Sequence, residues 1–139
     1  MRILFLEKTE QDTLATPPCI KKCRARSEAF GLYPEGSRSR DGRLYRGRTG
    51  VGHLALTAGV PVVPVGLVGT EKLQPVGSSV PRVVRVDVRF GAPIEVAGRF
   101  EGLASGKARR VLTDEVMDAI AGLTGQERAP GYNERAPDA

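Results

Sequence analysis

"VPVVPVGLVGT", residues 60–70, is rich in valine and bounded by turn-forming residues, the composition of a buried strand. Pro61 and Pro64 lack an N–H, so a ladder built on this segment must place them where no hydrogen bond is donated. Upstream, Val51, Leu54, Ala55 and Ala58 fall at helical spacing after Thr49, with Gly59 where a C-terminal cap belongs, which predicts a short helix. Downstream, "RVVRVDVRF" (82–90) alternates Val84, Val86, Val88 and Phe90 with Arg85, Asp87 and Arg89, the period of a half-buried strand. Residues 105–124 gather Ala108, Val111, Leu112, Val116, Ala119, Ile120 and Leu123 on one helical face, with Ser105 as N-cap and Gly125 as a stop. "AFGLY" (29–33) reads as a further strand ending at Pro34. This order of elements predicts an α/β domain, a layered and mostly β core flanked by helices.

The 139 residues suit one domain. Residues 1–28 have no clear period and carry a basic cluster at Lys21, Lys22, Arg24 and Arg26; they read as a poorly ordered leader unrelated to the rest of the chain. The stretch 126–139 is proline-rich and charged and is predicted to be a mobile tail. The apolar run Ile3 to Leu6 is too short for a signal-peptide core, and residues 58–69 fall well short of the ~20 residues of a spanning helix. Cys19 and Cys23 have no second cysteine pair and only one histidine, His53, for company, so they read as free thiols in a reducing cytoplasm rather than a metal site. The net charge of +5 favours anionic partners without choosing among phosphate esters, nucleic acid, lipid headgroups and phosphate-bearing coenzymes.

"YPEGSRSRDGRLYRGRTG" (33–50) sets Glu35 among Arg38, Arg40, Arg43, Arg46 and Arg48 in a stretch almost without hydrocarbon. A carboxylate beside glycine in a turn can accept from ligand hydroxyls, while an arginine grips a phosphate bidentately and backbone N–H groups add dipoles. The arginines can equally form a solvated face that pairs with Asp41 and Glu35. Composition leaves both readings open. The run "GRLYRGRT" (42–49) comes one substitution from a Walker A loop, but no hydrophobic strand immediately precedes it and Arg48 stands in place of the lysine, so the match is accidental.

"YPEGSRSRDGRL" resembles the third sequence block, [FY]-P-E-G-T-R-S, of the glycerolipid acyltransferases, the lysophosphatidic acid acyltransferase family, with Ser37 in place of threonine. "GVPVVPVGLVGT" (59–70) resembles the fourth block, in the expected order, and the likeness runs over roughly residues 29–127. The resemblance implies a truncated glycerol-3-phosphate acyltransferase-like fold, with 29–125 as the C-terminal part of the domain. It implies transfer of an acyl group from a thioester of coenzyme A or acyl carrier protein to 1-acylglycerol 3-phosphate in phospholipid biosynthesis, with no cofactor beyond that co-substrate. It implies further that Glu35, Gly36 and Ser37 shape the glycerol phosphate site, that Arg38 binds the phosphate, and that Pro61 belongs to the acyl and acceptor environment. A lipid acceptor also implies a protein peripheral to the inner face of the membrane on its cytoplasmic side.

The family's first block, N-H-x-x-x-x-D, supplies the base that takes the proton from the attacking hydroxyl. This sequence lacks it: His53 follows Gly52, and Ala58 stands where the aspartate belongs, so His53 is expected to cap or pack its helix. The second block is not recognisable in residues 1–28. The expectation is a C-terminal portion of such an enzyme, inactive alone, without catalytic or metal-binding residues of its own. The alternative is a non-catalytic basic module that binds anionic membranes or phosphate ligands. Nucleic acid is not expected, since the sequence has no zinc-finger spacing or helix-turn-helix signal and almost no aromatics among the arginines for base stacking. Without upstream elements the sheet is expected to expose an edge and one apolar face, with poor solubility as the result.

Overall fold

The computed structural model describes residues 29–73 and 80–133. The lysine and arginine cluster of residues 21–26, both cysteines and most of the link after Leu73 lie outside them. The described elements are α1 (Gly50–Ala58), β1 (Val65–Val68), α2 (Thr70–Leu73), β2 (Asp87–Phe90) and α3 (Ser105–Thr124). No described helix is long and apolar enough to cross a membrane.

The valine-proline segment solves its missing donors by splitting. β1 starts after Pro64 and pairs antiparallel with β2, Val65 opposite Phe90 and Val68 opposite Asp87. Before it, Val62 forms an isolated bridge in which it and Ile94 exchange hydrogen bonds of 3.0 and 2.8 Å. Pro61 and Pro64 thus fall outside both donor positions, and Pro64 contributes only its carbonyl, which accepts from the Gly91 N–H at 2.9 Å. Between the two paired stretches, Val63 and Pro64 face Gly91, Ala92 and Pro93, two residues against three, which is a β-bulge.

The fold is mixed α/β, but the expectation of a mostly β core is corrected: among the described residues the sheet has two strands, and α3 is the centre of the core. Leu112, Val116, Met117 and Ile120 are buried on α3 against Val51, Ala55, Val60 and Val62. Each such side chain contributes ~1.5–3 kcal/mol through burial. The buried stripe follows the row Ala108, Leu112, Val116, Ile120 with Thr113 and Met117 beside it, which leaves Val111 outside at 43% exposure. Ser105 is the first helical residue rather than the cap; the N-cap is Ala104, without a side-chain cap bond. Gly125 ends α3 in the left-handed conformation, as its position suggested. α1 lies close on α3 because Gly52 has no side chain: a Cβ there would collide with the Arg109 carbonyl and stand 2.8 Å from Thr113 Oγ1.

Two further expectations change. Residues 29–33 form no ladder among the described residues; Phe30 and Leu32 instead pack at the margin of the core, where side-chain burial substitutes for strand pairing. Only Asp87–Phe90 of the alternating stretch pairs, and its apolar side is not covered. α3 takes the opposite face of the sheet, where Arg89 Nη1 donates to the Leu123 carbonyl at 2.8 Å. Val88 and Phe90 are consequently 50% and 60% exposed, and Val83 is fully exposed.

The chain after α3 is not a loose tail as far as Asn133. The Leu44 N–H donates to Glu127 O at 2.8 Å and the Ala129 N–H to Leu44 O at 2.9 Å, a parallel bridge between Leu44 and Arg128. Ala129 is buried there, and the hydrogen bonds outweigh what the charged, proline-rich composition suggested.

Candidate functional site

The turn at Tyr33 organises the arginine-rich loop. The Gly36 N–H donates to the Tyr33 carbonyl at 3.1 Å, with Pro34 in the second position, whose fixed φ suits it, and Gly36 in the fourth at φ +75°. The Arg48 N–H donates to the Pro34 carbonyl at 2.7 Å and closes the loop on itself. Within the turn Glu35 is buried, at 6% exposure. The Ser37 hydroxyl is also enclosed and has no hydrogen-bond partner among the described residues. Arg38 stands exposed directly after it. Four of the residues expected to bind substrate, Glu35, Gly36, Ser37 and Arg38, are therefore together by geometry as well as by sequence. Pro61 is apart from them, half-buried in the extended chain that enters the Val62 bridge.

The remaining arginines divide into two sets. Arg43 belongs to Asp41, its Nε donating at 2.7 Å and its backbone N–H at 3.1 Å; the Tyr45 hydroxyl at 2.8 Å and Ser39 Oγ at 3.1 Å complete the cluster. The Arg43 hydrogen bond first, and then that of Tyr45, holds the Asp41 carboxyl well below the usual carboxylate range. Asp41 in turn pushes the Arg43 guanidinium up. The solvated-face reading thus holds for Arg43. Arg46 and Arg48 have no carboxylate partner among the described residues and stack instead on Tyr132, with guanidinium carbons 5.5 and 5.8 Å from the ring centroid.

The loop is fastened to the rest of the fold at several points. Leu44, fully buried, is its apolar anchor. Gly47 lies against α3 so closely that a Cβ would stand 2.8 Å from Met117 Cγ, and its carbonyl accepts from Arg110 Nη1 at 2.8 Å. Arg110 is held by both oxygens of Asp114 one turn on, at 2.9 and 2.5 Å, and reaches the Tyr132 hydroxyl at 3.3 Å. From the chain after α3, Gln126 Nε2 donates to Gly42 O at 2.6 Å, the Arg46 N–H to Gly131 O at 2.8 Å, and Asn133 Nδ2 to Arg38 O at 2.8 Å. Sequence reasoning missed Arg110, Tyr132 and Asn133. The available signals were an isolated Leu44 in a polar loop and an aromatic residue in an otherwise charged tail.

His53 is distant in role from this loop. It sits in α1, with Nδ1 3.4 Å from the Thr57 hydroxyl and its N–H donating to Thr49 O at 2.9 Å. It lines an open depression of about 250 Å³ with Leu56, Thr57, Phe100, Leu103, Ser105, Ala108 and Arg109, a lining that holds no carboxylate. The half-buried ring packs its helix, and nothing in this lining orients it as an aspartate would orient a base.

The turn thus holds an enclosed carboxylate beside a glycine, with the Arg48 side chain over that glycine and Arg38 exposed at its exit, on an α/β scaffold. The acyltransferase family model matches residues 2–68, a span that contains the whole turn and loop, and the chain belongs to the acyltransferase family. The span also takes in residues 2–28, which composition alone had set apart as a leader. Among characterised relatives, the 1-acyl-sn-glycerol-3-phosphate acyltransferase BAT2, chloroplastic, of Brassica napus is 43% identical over 63 residues, which cover 43% of this chain and 18% of that protein. The corresponding LPAT1 of Arabidopsis thaliana is 41% identical over the same length and shares. A 1-acyl-sn-glycerol-3-phosphate acyltransferase of Chlamydomonas reinhardtii is 31% identical over 123 residues, 86% of this chain and 35% of its own. The chain thus spans between 18% and 35% of the length of these relatives. No solved structure matches it.

Proposed function

We propose that residues 33–48 form the acceptor site of an acyltransferase, holding the glycerol phosphate end of a 1-acylglycerol 3-phosphate. The observation that carries this is the enclosed pair of Glu35 and the Ser37 hydroxyl in a turn whose exit presents Arg38 to solvent. Glu35 accepts from glycerol hydroxyls, Gly36 gives the turn its left-handed backbone, and Arg38 takes the phosphate in a charge-assisted pair. Pro61 lines the acyl and acceptor environment.

The reaction is attack of the free glycerol hydroxyl on the thioester carbonyl of an acyl-CoA or acyl carrier protein. The C–O bond forms, the C–S bond breaks, and the thiol leaves with the proton that a base removes from the hydroxyl. The N-H-x4-D base is not in this sequence, so the 139-residue chain binds acceptor without turning it over. Loss of such a base removes about 10²–10⁴-fold of rate. The reading includes a glycerol-3-phosphate acyltransferase-like fold with residues 29–125 as the C-terminal part of the domain. It also places the protein at the inner face of the membrane on the cytoplasmic side, in phospholipid biosynthesis, without nucleic acid as a partner.

The test is titration of the purified chain with sn-glycerol 3-phosphate and lysophosphatidate, followed by ³¹P NMR or calorimetry, beside a turnover assay with acyl-CoA and acyl carrier protein donors. Saturable binding lost in Arg38→Ala and Glu35→Gln, without product, is the expected result. Binding insensitive to both substitutions, with affinity that follows only ionic strength, would replace this reading with a general basic module for anionic surfaces. Turnover by the chain would remove the claim of inactivity.

A further inference from the structure

The acceptor reading assigns Arg38 but leaves unexplained why two more arginines of the loop, Arg46 and Arg48, share one aromatic ring and meet no carboxylate among the described residues. Arg48 is the nearer. A Cβ on Gly36 would stand 3.1 Å from its Nε and 3.2 Å from its Cδ, so its side chain runs over the glycine of the turn. Arg46 shares with it the ring of Tyr132, at 5.5 and 5.8 Å from the centroid. Two guanidinium groups gathered on one ring repel one another, and among the described residues neither meets a carboxylate that would neutralise it. The ring faces attract both cations while leaving their N–H groups available to an anion.

The ring is itself positioned. The Tyr132 hydroxyl is met by Arg110 Nη1, a guanidinium already satisfied by Asp114 and by the Gly47 carbonyl of the same loop. The residue before it, Gly131, accepts from the Arg46 N–H, and the residue after it, Asn133, donates to the carbonyl of Arg38. Three consecutive residues of the chain after α3 therefore touch Arg46, Arg48 and Arg38, the arginines that Asp41 does not occupy apart from Arg40.

We propose that Tyr132 and Asn133 are positioning residues of the anion site and that Arg48, held over Gly36 by Tyr132, is a further phosphate-binding residue of it. This rests on the acceptor reading and deepens it: the phosphate monoester is taken between Arg38 and Arg48 across the Gly36 turn, with Arg46 adding charge behind. The contacts to the arginines are made by the ring, and Gly131 and Asn133 hold the chain on either side of it, so phenylalanine serves in its place although it gives up the 3.3 Å bond from Arg110.

The experiment measures binding of sn-glycerol 3-phosphate to the full chain and to Tyr132→Ala, Tyr132→Phe, Asn133→Ala and Arg48→Gln, with arginine Nε–Hε NMR spectra recorded without ligand. Tyr132 is 43% exposed, so its replacement leaves the core intact, and thermal melting confirms that each variant is folded. Tyr132→Ala and Arg48→Gln are expected to weaken binding about tenfold or more, the scale of two exposed cation–π contacts or one charged contact. Asn133→Ala weakens it less, Tyr132→Phe binds as the native chain does, and the Arg46 and Arg48 Nε–Hε signals lose their ring-current shifts in the alanine variant alone. Native-like binding by Tyr132→Ala or by Arg48→Gln overturns the proposal while leaving the acceptor site in place. Absence of binding by the native chain overturns the acceptor reading itself, and the two failures are told apart by that one control.

Discussion

Arg48 lies over Gly36, its Nε 3.1 Å from where a Cβ would be, and its own N–H is bonded to Pro34 two residues before that glycine. The guanidinium and the turn are therefore one unit. Gly36→Ala must take a left-handed backbone at φ +75°, a cost of about 1–2 kcal/mol, and also displace Arg48. The expected outcome is a chain that remains folded, melts earlier and binds glycerol 3-phosphate more weakly. Undiminished affinity in a calorimetric titration would show that the turn does not position the arginine.

Gly52 and Gly50 make a matched pair two residues apart. A Cβ at Gly52 meets the Arg109 backbone, which cannot swing aside, whereas one at Gly50 meets nothing within 4 Å. Gly52→Ala is expected to destabilise by about 1–3 kcal/mol through overpacking of α1 on α3. Gly50→Ala should be neutral or stabilising by no more than ~1 kcal/mol. Urea unfolding of the two variants reads both, and equal midpoints would contradict the close helix approach.

Asp41 gives a pH signature. Its carboxyl is held below the usual range by Arg43, then Tyr45, so the folded chain binds its proton less readily than the unfolded one. Its contribution is complete above the ordinary aspartate value of ~3.9 and declines as pH falls from there towards the lower folded value. In a ¹³C titration Asp41 should remain ionised through the range where free carboxylates protonate, and Arg43→Gln should move it back up. Added salt should narrow the difference, because the group is at the surface.

The uncovered side of β2 predicts association. Val83, Val88 and Phe90 expose apolar surface beside a strand whose outer edge has no ladder partner among the described residues. Light scattering of the purified chain should show oligomers at concentrations where Val83→Lys combined with Phe90→Lys is monodisperse. A monomeric native chain with a cooperative melt would run against this expectation.

α1 and α3 were legible in the sequence because each carries its own period and a glycine in the left-handed stop position, Gly59 and Gly125, whereas the single turn of α2 is too short to show a period. The turn at Glu35 was legible from Pro34 and Gly36, whose backbone preferences are local. What periodicity did not reveal was decided at long range. Val84 to Phe90 alternate as a half-buried strand should, yet α3 settles on the other face, and no local pattern states which face a helix will choose. Likewise "ERAPGYN" is polar and aperiodic by composition, and its order comes from the edge that Leu44 offers 84 residues earlier.

That pairing between Leu44 and Arg128 also fixes an order of assembly. The Pro34 turn can close as soon as Arg48 exists, but the loop's partners at Glu127, Ala129, Gly131 and Asn133 arrive only after the whole of α3 has been made and has folded back. Closing so long a span costs entropy that only a formed core can offset, so the arginine-rich loop should be the last part of the molecule to mature. A growing chain would gain its hydrophobic interior first and the fixed geometry of its arginine loop afterwards, and any ligand of that loop present during refolding would stabilise the finished state without hastening the collapse that precedes it.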